Sequence, residues 1–263
     1  MSGKTTFTWL GAAGFLIERP GTVLVTDPFL SRPKGVEPFP LPRDALARAN
    51  GILCTHGHFD HAMDLEQVAR LSEAQIWAPA VVCRRLESLG IARERLNDNE
   101  RTSWARVGSI SLTVVPSRHI TFDAPLVAKT LLAAISGKTF RELLALGMLW
   151  PMGSNSDFLL RAGGLTAYLA GSLGQSPEAL RRQHCQVALL PYNGRTDIPR
   201  VTLQAVEALR PRVLVLHHWD DFYPHLAPPQ DPARVIPLLE ERFPELKVHI
   251  ARMGEPFAPE EWL

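Results

Sequence analysis

Within seven residues, Thr55-His56-Gly57-His58-Phe59-Asp60-His61, the chain places three imidazoles and a carboxylate. The apolar run Gly51-Ile52-Leu53-Cys54 precedes them and reads as a buried strand that delivers the cluster at its carboxyl end. On a helix His56 and His58 would diverge, whereas at a strand end and in a tight loop both converge on one ion. Four such groups compete for solvation and repel one another when protonated. A divalent cation relieves that cost by favouring neutral imidazole and ionised carboxylate. A polar surface loop with accidental histidines is the bland alternative, and it does not account for further histidines that also follow strand-like runs. His119 lies just beyond Leu112-Thr113-Val114-Val115-Pro116, where it completes a three-histidine set with His56 and His58. His217-His218 follows Val213-Leu214-Val215-Leu216; adjacent residues on extended backbone point oppositely, so one of the two reaches the cluster, and periodicity does not choose between them.

The rest of the composition excludes several classes. Lys+Arg number 28 against 27 Asp+Glu, a formal charge of +1 without a basic run, so no nucleic-acid partner is expected. Cys54, Cys83 and Cys185 are odd in number and unpatterned, which argues against a disulfide scaffold and fits a cytoplasmic protein. The N-terminus enters a strand-like segment without a signal-peptide stretch. Residues 124–150, the most hydrophobic region, are interrupted by Lys129, Lys138, Arg141 and Glu142, short of the roughly 20 apolar residues of a transmembrane span. Gly11 and Gly14 make no dinucleotide fingerprint, and no Gly-rich ATP loop is present.

Along the chain, residues 6–10, 14–18 and 22–26 read as a strand meander that stops at Asp27-Pro28. Prolines 33, 38, 40 and 42 predict an irregular loop over 31–42, followed by a helix over 43–49. Further helices are expected over 62–71, 81–89, 201–209 and 233–242, the last kinked or divided at Pro237. Strands are expected over 75–78, 106–107, 109–115, 157–161, 166–170, 187–190, 212–216 and 247–250, with turns at Gly108 and Gly163-Gly164. Residues 124–150 predict two short helices around Ser136-Gly137, an insertion in what is otherwise read as one domain over 1–263. Strands mixed with helices in this way predict sheets layered with helices rather than an all-β sandwich.

His56, His58, Asp60 and His61 meet the His-x-His-x-Asp-His signature, and in this the chain resembles the metallo-β-lactamase superfamily. Residues 8–13, 25–29, 168–172 and 190–194 resemble segments of the branch that includes ascorbate-6-phosphate lactonases and N-acyl-phosphatidylethanolamine-hydrolysing phospholipase D enzymes. The likeness runs through most of residues 6–222 and implies an α/β fold, a four-layer αββα sandwich. It further implies His56, His58 and His119 as one metal site and Asp60, His61 and His218 as a second, choosing His218 over His217 because an aromatic residue, Trp219, follows. Two departures stand out: Ser172 occupies the position of the aspartate that bridges two metals, and Ala12 a position that often carries histidine. Asp157 and Asp197 are the nearby candidates for the missing carboxylate, each more simply a solvated turn residue.

The resulting expectation is a hydrolase in which metal-bound hydroxide attacks a small phosphorylated, lactone, ester or phosphodiester substrate. One or two divalent ions are expected, Zn2+ from the imidazole content, with Mn2+ as the other candidate. Asp60 would orient the water and take its proton, and Asp27 would fix a ligand histidine through a hydrogen bond. Arg118, Tyr192, Asn193, Arg195 and Trp219 are candidate substrate contacts, and the 124–150 insertion a candidate lid or acyl path, with peripheral membrane contact as its corollary. Oligomeric state is not readable. Ser172 also keeps open a noncatalytic metal-dependent binding or structural protein. His184, His225 and His249 read as solvated or structural, and the three cysteines as packing residues.

Overall fold

The computed structural model describes residues 3–32, 36, 42–134, 147–220, 222, 223 and 229–263. Most of the predicted proline loop, the middle of the 124–150 insertion, Asp221 and His225 lie outside the described residues.

Among the described residues, fourteen strands form two seven-stranded sheets. The first contains β1 (Thr6–Gly11), β2 (Gly14–Arg19), β3 (Thr22–Thr26), β4 (Gly51–Leu53), β5 (Gln75–Ala78) and β6 (Leu96–Asp98) in chain order, with β14 (Pro256–Phe257) added outside β1. The second runs from β7 (Trp104–Val107) through β8 (Ile110–Ser117), β9 (Asn155–Ala162), β10 (Leu165–Leu169), β11 (Val187–Pro191) and β12 (Val213–His217) to β13 (Lys247–Ile250). Between the sheets lies one core, including Phe7, Phe15, Leu112, Phe158, Leu189 and Val215. The outer face of the first sheet is covered by the helices Arg43–Ala47, Leu65–Leu71 and Ala80–Ser88, and that of the second by Ile198–Leu209 and Ile236–Arg242. The order helix, sheet, sheet, helix is the αββα sandwich.

The reading from sequence holds for most elements, because strands buried on both faces are continuous apolar runs and their helices carry one apolar stripe. Pro237 divides the last helix as expected: a 3-10 turn over Pro232–Val235 passes into the α-helix Ile236–Arg242, with proline in its first turn. β6 and β14 were not foreseen, being three and two residues long; β14 in addition pairs with a strand distant in sequence, Phe257 opposite Phe7. The helix expected over 62–71 is two pieces, Phe59–Ala62 and Leu65–Leu71, so Asp60 and His61 ride on a helical turn. Of the insertion, the helix Ala124–Ala134 is observed, with a further helical turn at 147–149. Among the described residues no helix is long and apolar enough to cross a membrane.

β3, β4, β5 and β6 are mutually parallel, as are β10, β11, β12 and β13, while β8 and β10 both run antiparallel to β9. The carboxyl ends of β3, β4, β8, β10, β11 and β12 therefore open onto one edge, where open α/β sheets bind ligands. The sheets are tied together there by the Ser156 amide, which donates to the Thr55 carbonyl at 2.9 Å, and by the Gly57 amide, which donates to Met152 at 2.7 Å. Closeness demands glycine: a Cβ on Gly57 would collide with the Pro151 carbonyl, and one on Gly171 with the Thr55 side chain.

Candidate metal centre

Six ligand-type side chains meet at this edge. His56 and His58 leave β4, Asp60 and His61 follow on the helical turn, His119 follows β8 and His218 follows β12. Their donor atoms form two groups, His56/His58/His119 and Asp60/His61/His218, with the atoms of each within 4.8 Å of one another. The groups adjoin, since the His56 and His61 ring centroids are 3.9 Å apart.

Spacing and tautomer both fit a metal. Zinc bonds of about 2.0 Å at tetrahedral angles separate donors by about 3.3 Å. His56 Nε2 and His58 Nδ1 are 3.1 Å apart, and Asp60 Oδ2 lies 3.4 Å from His218 Nε2 and 3.6 Å from His61 Nε2. Buried Asp27 accepts from the Thr55 amide at 2.7 Å, the Thr55 hydroxyl at 2.7 Å and His61 Nδ1 at 3.0 Å. With its proton given to Asp27, the Thr55 hydroxyl accepts from His56 Nδ1 at 3.1 Å. His119 Nδ1 donates to the Ile120 carbonyl at 2.7 Å. His56, His61 and His119 therefore each turn a bare Nε2 toward the centre.

In the three-histidine set the electrostatics favour the same state. Burial holds His56 well below the usual imidazole value, helped by neighbouring His61, His58 and His119, and pushes His58 down to about 4. Burial also lowers His119. These rings are neutral at physiological pH, the form that binds metal. Burial raises Asp60, but the fields of His61, His218 and His58 outweigh it and hold the carboxyl well below the carboxylate range. For His61 burial lowers the value and loses to Asp60 and Asp27, so the net shift is upward. Asp27 and His218 have φ of +39° and +59°, left-handed backbone that costs about 1–3 kcal/mol in a non-glycine residue and concentrates at functional sites.

His217 points away, fully buried with its ring edge-on to Phe15 at 5.1 Å; burial pushes its pKa down to about 3. Ser172 sits at the cavity beside the ligands, and its hydroxyl accepts from the Ile120 amide at 2.9 Å, tying the His119 loop to the end of β10. Ala12 is buried with φ +44°, and its amide donates to both oxygens of Asp220 at 3.1 Å. Arg32 completes that unit, donating to Asp220 at 2.9 Å and to the Leu10 carbonyl at 2.8 Å. Nothing in the sequence marked Arg32 or Asp220, whose buried pairing joins segments 188 residues apart. Arg32→Ala is expected to destabilise by about 3–5 kcal/mol, because it strands the Asp220 carboxylate without its cation. Urea unfolding of the two proteins reads the difference.

Asp157 corrects the solvated-turn expectation. It lies inside β9, 1% exposed, and accepts from the Tyr168 hydroxyl at 2.5 Å, the Ser117 hydroxyl at 2.8 Å and the Gly171 amide at 3.2 Å. It belongs to neither donor group and braces the turn that carries Ser172. Burial outweighs these donors and raises its pKa to about 6 from 3.8. A raised folded-state value means its stabilising contribution is full below about pH 3.8 and is lost as pH rises through about 6. Two units correspond to about 3 kcal/mol. Between pH 4 and 7, Asp157→Asn, which mimics the protonated acid, is expected to lose less stability than the native chain by about that amount. Parallel denaturation midpoints across this range would contradict the assignment. Asp197 is half-buried and paired with Arg195 at 2.5 Å and with Arg200.

A cavity of about 450 Å³ opens over the ligands, and its lining includes His58, Asp60, His61, His119 and His218. Of the five candidate substrate contacts, Asn193 lines it. Its Oδ1 accepts from the Gly194 amide at 2.7 Å, leaving Nδ2 as a buried donor without a partner among the described residues. Arg118 is exposed and outside the lining; Arg195 is held by Asp197 and the Thr121 carbonyl. Tyr192 is buried in the core outside the second sheet, and Trp219 packs on Trp9 with centroids 5.2 Å apart. His184 is exposed, and His249 packs with tilted rings against Phe257 and Trp262.

The family model described as the Beta-lactamase superfamily domain matches residues 22–219, a span containing all six ligand-type residues. The chain belongs to this superfamily. Among its relatives, a metal-dependent hydrolase from Anaeromyxobacter sp. (strain K) is 29% identical over 228 residues, covering 84% of this chain and 76% of that one. One from Caldivirga maquilingensis is 25% identical over 251 residues, 94% of this chain and 95% of that one. The fold is shared with a metallo hydrolase from Ignicoccus hospitalis (TM-score 0.68, 19% identity, 97% of each chain). It is shared also with an isothiocyanate hydrolase from Delia radicum gut bacteria (TM-score 0.65, 17% identity, 96% of this chain and 98% of that one).

Proposed function

We propose that this protein is a metal-dependent hydrolase of a small ester, lactone or phosphodiester, with His56, His58 and His119 as one ligand set and Asp60, His61 and His218 as the other. The observation that carries the reading is the opening of two pre-oriented donor sets onto one cavity. A divalent ion held there supplies Lewis acidity and lowers the pKa of bound water toward about 7. Zinc suits the imidazole-rich donors.

The chain's own residues do the rest. Asp60, ionised at neutral pH, serves as ligand and accepts a hydrogen bond from the attacking water. Its depressed pKa makes it a weaker base than the sequence implied, so orientation is its main contribution. Asp27 and Thr55 hold the His56 and His61 tautomers. Asn193 Nδ2 donates to the oxygen on which negative charge develops. Ser172 contributes no charge, so Asp60 is the one carboxylate among the six ligand-type residues and neither set gains a bridging anion from that position.

Metal content measured beside turnover on phosphodiesters, lactones and carboxylic esters tests this. Bound metal with turnover supports it; stoichiometric metal without turnover on the whole panel favours the noncatalytic alternative that Ser172 raises.

A further inference from the structure

We propose, building on the hydrolase reading, that the substrate is an uncharged carboxylic ester or lactone with an apolar acyl or aryl group beside its carbonyl. The apolar wall of the cavity includes Phe59, Ile120, Phe122, Leu126, Val127 and Phe222 and adjoins the ligands. Two of these touch the ligands themselves: Phe122 stands edge-on to His119 at 5.4 Å between centroids, and Phe222 edge-on to His218 at 4.7 Å. An apolar surface that begins at the ligand rings accommodates an apolar group adjacent to the scissile bond, not one at the end of a polar spacer. Leu126 and Val127 extend the same wall along the helix Ala124–Ala134 toward the mouth.

Among the described residues, the two arginines that the sequence offered as anion contacts are committed elsewhere. Arg195 is neutralised by Asp197, and Arg118 stands outside the cavity. Beyond the ligand-type residues, the polar side chains of the described lining are Tyr223, Ser172, engaged by the Ile120 amide, and Asn193, whose single spare donor matches a carbonyl oxygen. About 450 Å³ is ample for a small apolar ester. In the reaction, water oxygen bonds to the carbonyl carbon and the bond from that carbon to the leaving oxygen breaks. One water proton ends on the departing alcohol, and the other is released from the carboxylic acid formed.

The test uses zinc-loaded full-length protein with p-nitrophenyl acetate, butyrate and hexanoate, and bis(p-nitrophenyl) phosphate as competitor chemistry. The expected result is a kcat/KM that rises about fourfold per added methylene, the equivalent of about 0.8 kcal/mol each, and exceeds that for the phosphodiester. Val127→Asp places a charge on the wall at a side chain 42% exposed, where folding tolerates it, and is expected to abolish the chain-length gain. Binding of the neutral fluorophore N-phenyl-1-naphthylamine, read by its emission, is expected in the native protein and weakened at least tenfold by Val127→Asp. Preference for the phosphodiester, or a flat chain-length series, overturns the proposal and leaves the hydrolase reading standing. Absence of turnover on every substrate with intact, Val127-dependent fluorophore binding overturns the hydrolase reading and supports the cavity's apolar selectivity; absence of both overturns the two together.

Discussion

Asp60→Asn is expected to lower kcat/KM by about 10²–10⁴-fold on any substrate the native chain turns over. Asparagine keeps the size of the side chain, so the helical turn Phe59–Ala62 and the packing of the 7% exposed residue are preserved. What changes is charge. The carboxylate faces His61 Nε2 at 3.6 Å and His218 Nε2 at 3.4 Å, and an amide offers a weaker ligand and no anionic field to offset a cation. Metal analysis should show the loss concentrated in the binding event that uses Asp60, with the other unchanged. Unaltered turnover by a folded, metal-loaded Asp60→Asn protein would remove Asp60 from the mechanism.

Asp27→Ala is expected to cost about 3–5 kcal/mol of stability and to weaken metal binding about 10–100-fold. The substitution strips partners from three buried groups at once, the Thr55 amide, the Thr55 hydroxyl and His61 Nδ1. With Asp27 gone, the Thr55 hydroxyl and the His61 ring are free to reorient, so the prepared direction of Nε2 is lost. Asp27→Asn tolerates the φ of +39° and keeps two of the contacts, and should fall between the two proteins. Unfolding midpoints and competition with a chromogenic chelator measure the two effects separately; an alanine variant with native metal affinity would show that the histidines are aligned by packing alone.

Much of the fold was legible because its strands are short, doubly buried apolar runs such as Val187–Pro191 and Val213–His217. β14 was not, because two residues acquire strand geometry only from the pairing of Phe257 with Phe7. The same division runs through the site. His56, His58, Asp60 and His61 announce themselves by local spacing, and His119 by its place after a strand. Arg32 and Asp220 carry no local signal, since what makes them matter is burial against residues far along the chain.

The cluster Thr55–His61 was determined by sequence alone, because gathering three imidazoles and a carboxylate in so few residues is a local property of the chain. Tertiary structure decided which ring nitrogens are bare, that Asp157 is a buried brace and not a surface turn, and that an apolar wall stands over the ligands where sequence had offered arginines. Each of these depends on the carboxyl ends of strands from two sheets meeting at one edge, and on the dielectric and hydrogen-bond partners found there, which no window of sequence contains.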